Sequence, residues 1–273
     1  MRHEGSEFLR PGHGIDGFLR EVRVGYHEPV NSSRGKSAVA GALVLVTLVG
    51  CNGASEAPME SEVEDQTTEM TESDSTVREE WIEFGGTRLW SLSAGPEGGP
   101  LVLLLHGGRF SSKTWRELGT IDLLAQAGLR VLAIDLPGYG ASPATELPRA
   151  ELLHELIASL GPLRPVVVSP SMSGGFSLPL AIDHPRDIAG YVPVAPAGIE
   201  TYRVRLPEIR VPTLIVWGSA DSTFPLQQGQ EMAAAIEGAR LFVLEGAPHA
   251  CYLSEPDLFH RALIDFVREV SAP

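Results

Sequence analysis

The chain has 273 residues, 43% of them apolar, and a net charge of −14, enough apolar surface for a full core and too much for a disordered chain. The acidity is uneven: residues 52–80 carry ten acidic and one basic side chains, residues 1–51 nearly balance, and no basic patch is left over, which argues against a nucleic-acid partner. Two cysteines cannot make a disulfide framework, and no Cys/His cluster has zinc spacing, so neither metal nor cofactor is expected.

Residues 1–50 read as an address. The run SAVAGALVLVTLVG (37–50) is shorter than the ~20 residues that span a bilayer, and Arg34 and Lys36 flank it, as in a signal peptide. It ends in Leu48-Val49-Gly50-Cys51, similar to a bacterial lipobox, in which small residues before the cut suit the peptidase and the cysteine is lipidated. Residues 1–29 form an extension ahead of this signal. The expected start is Val30, since a GTG codon read as an initiator gives Met. Residues 51–80 are acidic, rich in Ser and Thr and poor in aliphatic side chains, so they are expected to be a disordered tether. The expected location is a bacterial membrane, the outer membrane or a periplasm-facing surface, with the lipid anchor as the membrane contact.

From Trp81 to Pro273 the pattern is that of an α/β domain. WIEF and TRLWSLS flank Gly85-Gly86, a two-residue hairpin signal. Aliphatic runs follow at 101–105, 131–134, 165–168, 191–194, 213–217 and 241–244, apolar on both faces as in a buried, mostly parallel sheet. Amphipathic stretches at 114–127, 148–159, 172–183, 226–236 and 253–269 supply helices for both faces. The connection from Val194 to Val211 is too short for a cap domain.

Chemistry gathers at strand ends. VVVSPSMSGGFSLPL is a strand running straight into a helix, and a nucleophile elbow needs small residues two before and two after the nucleophile. Ser169 and Ser173 fill those places around Ser171. Ser173 fits a similar frame, between Ser171 and Gly175, but falls in the first helical turn. Leu105-His106-Gly107-Gly108 follows the first long strand, so the backbone N–H groups of Gly108 and Met172 can form an oxyanion hole. Asp221 and His249 follow the two late strands and complete the chain order Ser, Asp, His of a hydrolase triad. His106 is expected to brace its turn, Asp135 to fix another, Arg109 to make a loop-bracing ion pair and Cys251 to be a buried structural thiol. Trp115 and Phe110 suit the core and the pocket wall equally.

Residues 81–270 resemble alpha/beta hydrolases, specifically the alpha/beta hydrolase domain 14 (CIB-type) family, through HGGRFSSKTW, LAQAGLRVLAIDLPGYGAS, VSPSMSGGFSLPL, VPVAP, PTLIVWGSAD and GAPHACYL. The resemblance implies Ser171 as nucleophile, Asp221 as acid and His249 as base, with acyl esters, thioesters or acylated amines as substrates. The chain departs from the family pattern at Gly108, where a larger residue is usual, and at Ser222, which replaces a proline. The expected activity is that of a carboxylesterase-like serine hydrolase. Without a cap it should prefer short acyl groups and pass them to water. The alternatives are an acyl-lysine deacylase or acyltransferase, and, from another class, a catalytically silent hydrolase fold that binds a partner at the membrane.

Overall fold

The computed structural model describes residues 76–272. The expected signal segment, Cys51 and most of the tether therefore lie outside the described residues. The domain starts earlier than expected: β1 (Arg78–Phe84) takes in the last residues assigned to the tether. It pairs antiparallel with β2 (Thr87–Ala94), and Phe84 faces Thr87 across Gly85-Gly86. Both glycines have positive φ, 52° and 75°, which the tight hairpin turn demands of its two central residues.

The remaining strands are β3 (Leu101–Leu104), β4 (Arg130–Ile134), β5 (Val166–Pro170), β6 (Gly190–Val194), β7 (Leu214–Gly218) and β8 (Arg240–Leu244). They form one eight-stranded sheet in the order β1-β2-β4-β3-β5-β6-β7-β8, antiparallel only at β1–β2 and β2–β4. The helices are α1 (Ser112–Glu117), α2 (Thr120–Gln126), α3 (Arg149–Ser159), α4 (Gly174–Asp183), α5 (Ile199–Tyr202), α6 (Leu226–Ala235), α7 (Cys251–Ser254) and α8 (Pro256–Val270).

Alternation along the strands divides the core. Leu101, Leu103, Val167, Tyr191 and Ile215 pack on one side with Leu152 and Leu156 of α3, Phe176 and Leu178 of α4 and Met232 of α6. Val102, Leu104, Val166, Val168 and Val216 pack on the other with Trp115, Ile121, Leu124, Phe259 and Leu263. Burial on both faces explains why the strands read as unbroken apolar runs. Each fully buried Leu or Val contributes about 1.5–3 kcal/mol, and Leu103→Ala would cost about 2–5 kcal/mol.

Three expected helices are divided. The stretch 114–127 breaks at Gly119, whose φ of 74° lies outside helical space. The elbow helix opens with a 3-10 turn over Ser171–Ser173 before α4. The last stretch is split into α7 and α8 around Glu255. The connection after β6 holds only α5 and a 3-10 segment, Arg203–Glu208, so no cap domain covers the sheet there. No helix among the described residues is long and apolar enough to cross a membrane.

Candidate active site

The strand order reverses where β3 lies between β4 and β5, and the crevice outside the carboxyl ends of such strands is where α/β sheets hold ligands. β3 leads into His106-Gly107-Gly108, and β5 leads into Ser171. A cavity of about 540 Å³ opens here, lined by Gly107, Gly108, Arg109, Phe110, Pro170, Ser171, Met172, Val194, Thr223, His249, Ala250 and Tyr252. Two other hollows flank the β1–β2 hairpin, and neither is lined by a histidine.

Ser171 has φ 52°, a left-handed conformation that costs a non-glycine residue of order 1–3 kcal/mol and persists only where its surroundings hold it. Its carbonyl accepts the N–H of Ala197 at 2.8 Å. The close approach that needs a small residue falls at Gly174, where a Cβ would lie 2.3 Å from the Ala197 carbonyl oxygen; Gly175 has open space.

Beneath the elbow runs a chain of buried hydroxyls. Ser173 Oγ donates to the Pro170 carbonyl at 2.9 Å, which uses its only proton. The 3.0 Å contact of Ser169 Oγ with Ser173 Oγ must therefore be donated by Ser169. By the same count Ser177 donates to Ser169 at 2.6 Å, and Tyr191 donates to Ser177 at 2.9 Å. Burial raises the Tyr191 phenol above its ordinary range, which keeps that proton in place. Ser173 is thus committed inward, away from the cavity.

The other two strand-end residues meet Ser171. His249 Nε2 lies 2.8 Å from Ser171 Oγ, and His249 Nδ1 lies 2.7 Å from Asp221 Oδ2. Asp221 is anchored in turn. Its Oδ1 accepts the N–H groups of Thr223 and Phe224 at 2.8 and 2.9 Å, so its turn is held without the proline that Ser222 replaces. The Phe224 ring meets the imidazole edge-on at 5.1 Å. The two loops cross tightly: a Cβ on Gly218 would sit 2.3 Å from the Ala247 carbonyl oxygen, and Ala220 N–H donates to that same oxygen at 3.0 Å. This spacing lets a carboxylate hold one imidazole tautomer while the far nitrogen takes a proton from the serine.

On the oxyanion side, Gly108 and Met172 both line the cavity. A Cβ at Gly108 would meet Met172 Cβ at 3.4 Å, an ordinary contact, so the glycine leaves room that a larger residue would fill. His106 is a brace. Its Nε2 accepts the Leu136 N–H at 2.9 Å, so Nδ1 carries the proton and donates to the Gly107 carbonyl at 2.9 Å. Burial lowers its pKa, and the neutral ring fixes the glycine loop.

Asp135 fixes a turn, accepting from the N–H groups of Ser112 and Ala141. Trp115 belongs to the core and donates to the Leu105 carbonyl, while Phe110 lines the cavity. Cys251 is buried, and burial pushes its thiol up to about 12. Arg109 departs from expectation. It stands exposed at the cavity rim, and among the described residues no carboxylate pairs with it. Thr223, Tyr252 and Ala250 are wall residues without an expected role, although Ala250 and Tyr252 lie within GAPHACYL.

The model of the alpha/beta hydrolase family matches residues 102–205, which include Ser171. ABHD14A of Danio rerio is 42% identical over 175 residues, covering 62% of this chain and 64% of that protein, just under two thirds of its length. ABHD14B of Homo sapiens, named as a candidate protein-lysine deacylase, is 39% identical over 203 residues, covering 70% of this chain and 95% of that protein. The crystal structure of a predicted CIB-like hydrolase from Thermoplasma acidophilum is 31% identical with a TM-score of 0.68, covering 71% of this chain and 99% of that one.

Proposed function

Because the chain belongs to the alpha/beta hydrolase family, in its ABHD14 or CIB-type branch, we propose that it is a serine hydrolase acting on small acyl substrates through Ser171, His249 and Asp221. What supports the reading is the relay itself: a strained Ser171 within 2.8 Å of His249, which lies within 2.7 Å of a buried Asp221.

Ser171 Oγ attacks the acyl carbonyl while His249 Nε2 takes its proton, and Asp221 holds the imidazolium through Nδ1–H. The carbonyl oxygen, now an anion, is met by the N–H groups of Gly108 and Met172. His249 returns the proton to the departing alcohol, thiol or amine, leaving an acyl-serine. Water then gives a proton to His249 and attacks the acyl carbon, and Ser171 leaves with that proton. Phe110, Met172, Val194 and Tyr252 give the acyl group an apolar wall suited to short chains.

A fluorophosphonate probe tests the assignment. The folded protein should be labelled, Ser171→Ala should abolish labelling, and Asp221→Asn should cut turnover by about 10⁴-fold. A folded, unlabelled protein would favour the silent binding fold instead. The similarity to ABHD14B favours acyl-lysine as a second substrate class, so an acetyl-lysine peptide belongs beside the nitrophenyl ester series.

The reading includes a lipid anchor on Cys51 that places the enzyme at a bacterial envelope membrane. It is supported by the order of basic flank, apolar core and Leu48-Val49-Gly50-Cys51. Intact-mass analysis of membrane fractions tests it; a protein equally soluble with Cys51 or Cys51→Ser would sink it.

A further inference from the structure

Two imidazoles and two carboxylates converge at the far end of α4, away from the cavity. Glu151 and His154 are three residues apart on α3 and so share a face. That face meets the C-terminal end of α4, where His184 follows the last turn and Asp187 N–H folds back onto the His184 carbonyl at 3.0 Å. His154 Nδ1 lies 2.6 Å from Asp187 Oδ2. His184 Nε2 lies 3.6 Å from Glu151 Oε2, and its Nδ1 is 4.0 Å from the same Asp187 oxygen. The two rings stack with centroids 3.9 Å apart and planes 16° from parallel.

We propose that His154, His184 and Asp187 bind one divalent ion of the zinc class, as a clip between α3 and the end of α4, with Glu151 holding the other nitrogen of His184. Donor atoms from His154, His184 and Asp187 all fall within 4.8 Å of one another. Tetrahedral zinc, with bonds of about 2.0–2.2 Å to nitrogen and oxygen, sets its ligand atoms about 3.3 Å apart. The observed separations, from 2.6 to 4.0 Å about the Asp187 oxygen, bracket that value, and all three side chains are half-buried. Imidazole with carboxylate is a donor set for zinc, nickel or copper rather than calcium or magnesium.

The electrostatics agree. Two neutral rings and two carboxylates carry a net −2, which a divalent cation neutralises. The cation would also face the negative end of the α4 dipole. The ten residues of α4 put the clip roughly 15 Å along the helix from the elbow. It therefore steadies the helix that follows Ser171 and takes no part in the chemistry.

Calorimetric titration of Zn²⁺ into the full chain tests the site against the double variant His154→Gln, His184→Gln. Other histidines and Cys51 can also take zinc, so the difference between the two proteins is what counts. The native chain should bind one equivalent more, and saturating Zn²⁺ should raise its Tm by several degrees while leaving the variant unmoved. The same number and affinity of sites in both proteins overturns the proposal and leaves an ordinary His154–Asp187 pair. If the double variant does not fold, Glu151→Gln carries the test. It should weaken the site by about 10-fold or more, and an unchanged affinity counts against the clip.

Discussion

Removing the Ser177 hydroxyl should cost more than removing the Tyr191 hydroxyl that donates to it. In Ser177→Ala the fully buried Tyr191 O–H loses its acceptor, and an orphaned buried donor costs about 1–3 kcal/mol. Alanine returns about 0.5 kcal/mol through its better helix propensity within α4. With about 1 kcal/mol for the lost bond from Ser177 to Ser169, the net loss is about 1.5–3.5 kcal/mol, a fall of about 3–14 °C in Tm for a domain of this size. In Tyr191→Phe, Ser177 still donates to Ser169, so only one net hydrogen bond is lost, about 1 kcal/mol. The double variant holds no orphaned donor and loses two hydrogen bonds, so it should cost about 1.5 kcal/mol, and the two single losses should fall short of additive by about 1 kcal/mol or more. Urea unfolding of the three variants measures this. A larger loss for Tyr191→Phe than for Ser177→Ala, or simple additivity, would refute the direction assigned to the chain.

Three other perturbations have defined outcomes. Burial holds the pKa of His106 and His260 below the ordinary 6.5, so the unfolded chain takes up protons first; stability should be full above about pH 6.5 and fall on acidification by up to about 1.4 kcal/mol per pH unit per imidazole. Urea midpoints that stay flat from pH 7 to 5.5 would contradict this. Gly218→Ala drives a Cβ into the Ala247 and Pro248 carbonyl oxygens at 2.3 and 2.4 Å, and should cost about 1–3 kcal/mol and slow fluorophosphonate labelling by parting Asp221 from His249; native-like labelling would show that the loops move together. The Cys251 thiol should resist iodoacetamide at pH 8 until the domain unfolds, as read from the mass of its peptide, and rapid alkylation of the native chain would contradict its burial.

The parts legible in the sequence were those whose physics is local. Leu103 and Val102 face opposite cores one residue apart, so β3 could only read as an apolar run. Ser171, Asp221 and His249 each follow a strand in order, and a parallel sheet brings such ends to one edge. Helix periodicity, by contrast, cannot see that Gly119 needs a φ of 74°, so 114–127 read as one helix where the chain makes two. An exposed guanidinium such as that of Arg109 commonly finds a carboxylate, and nothing local in the sequence decides whether one comes near. The stacked histidines depend on how α3 packs against α4, and no spacing records it.

The serines flanking the elbow show the deeper gap. Read as letters, Ser169 and Ser173 are the less permissive substitutes for two glycines. In the fold they are small enough for the turn, and their hydroxyls link strand, elbow and helix into one donated chain ending on the Pro170 carbonyl. A glycine elbow tolerates the left-handed nucleophile by leaving space around it. This one surrounds Ser171 with satisfied buried polar groups, which are costly to break singly and so hold the strained φ in place. The two solutions differ in what they make vulnerable: the first fails when volume is added, the second when a hydroxyl is removed.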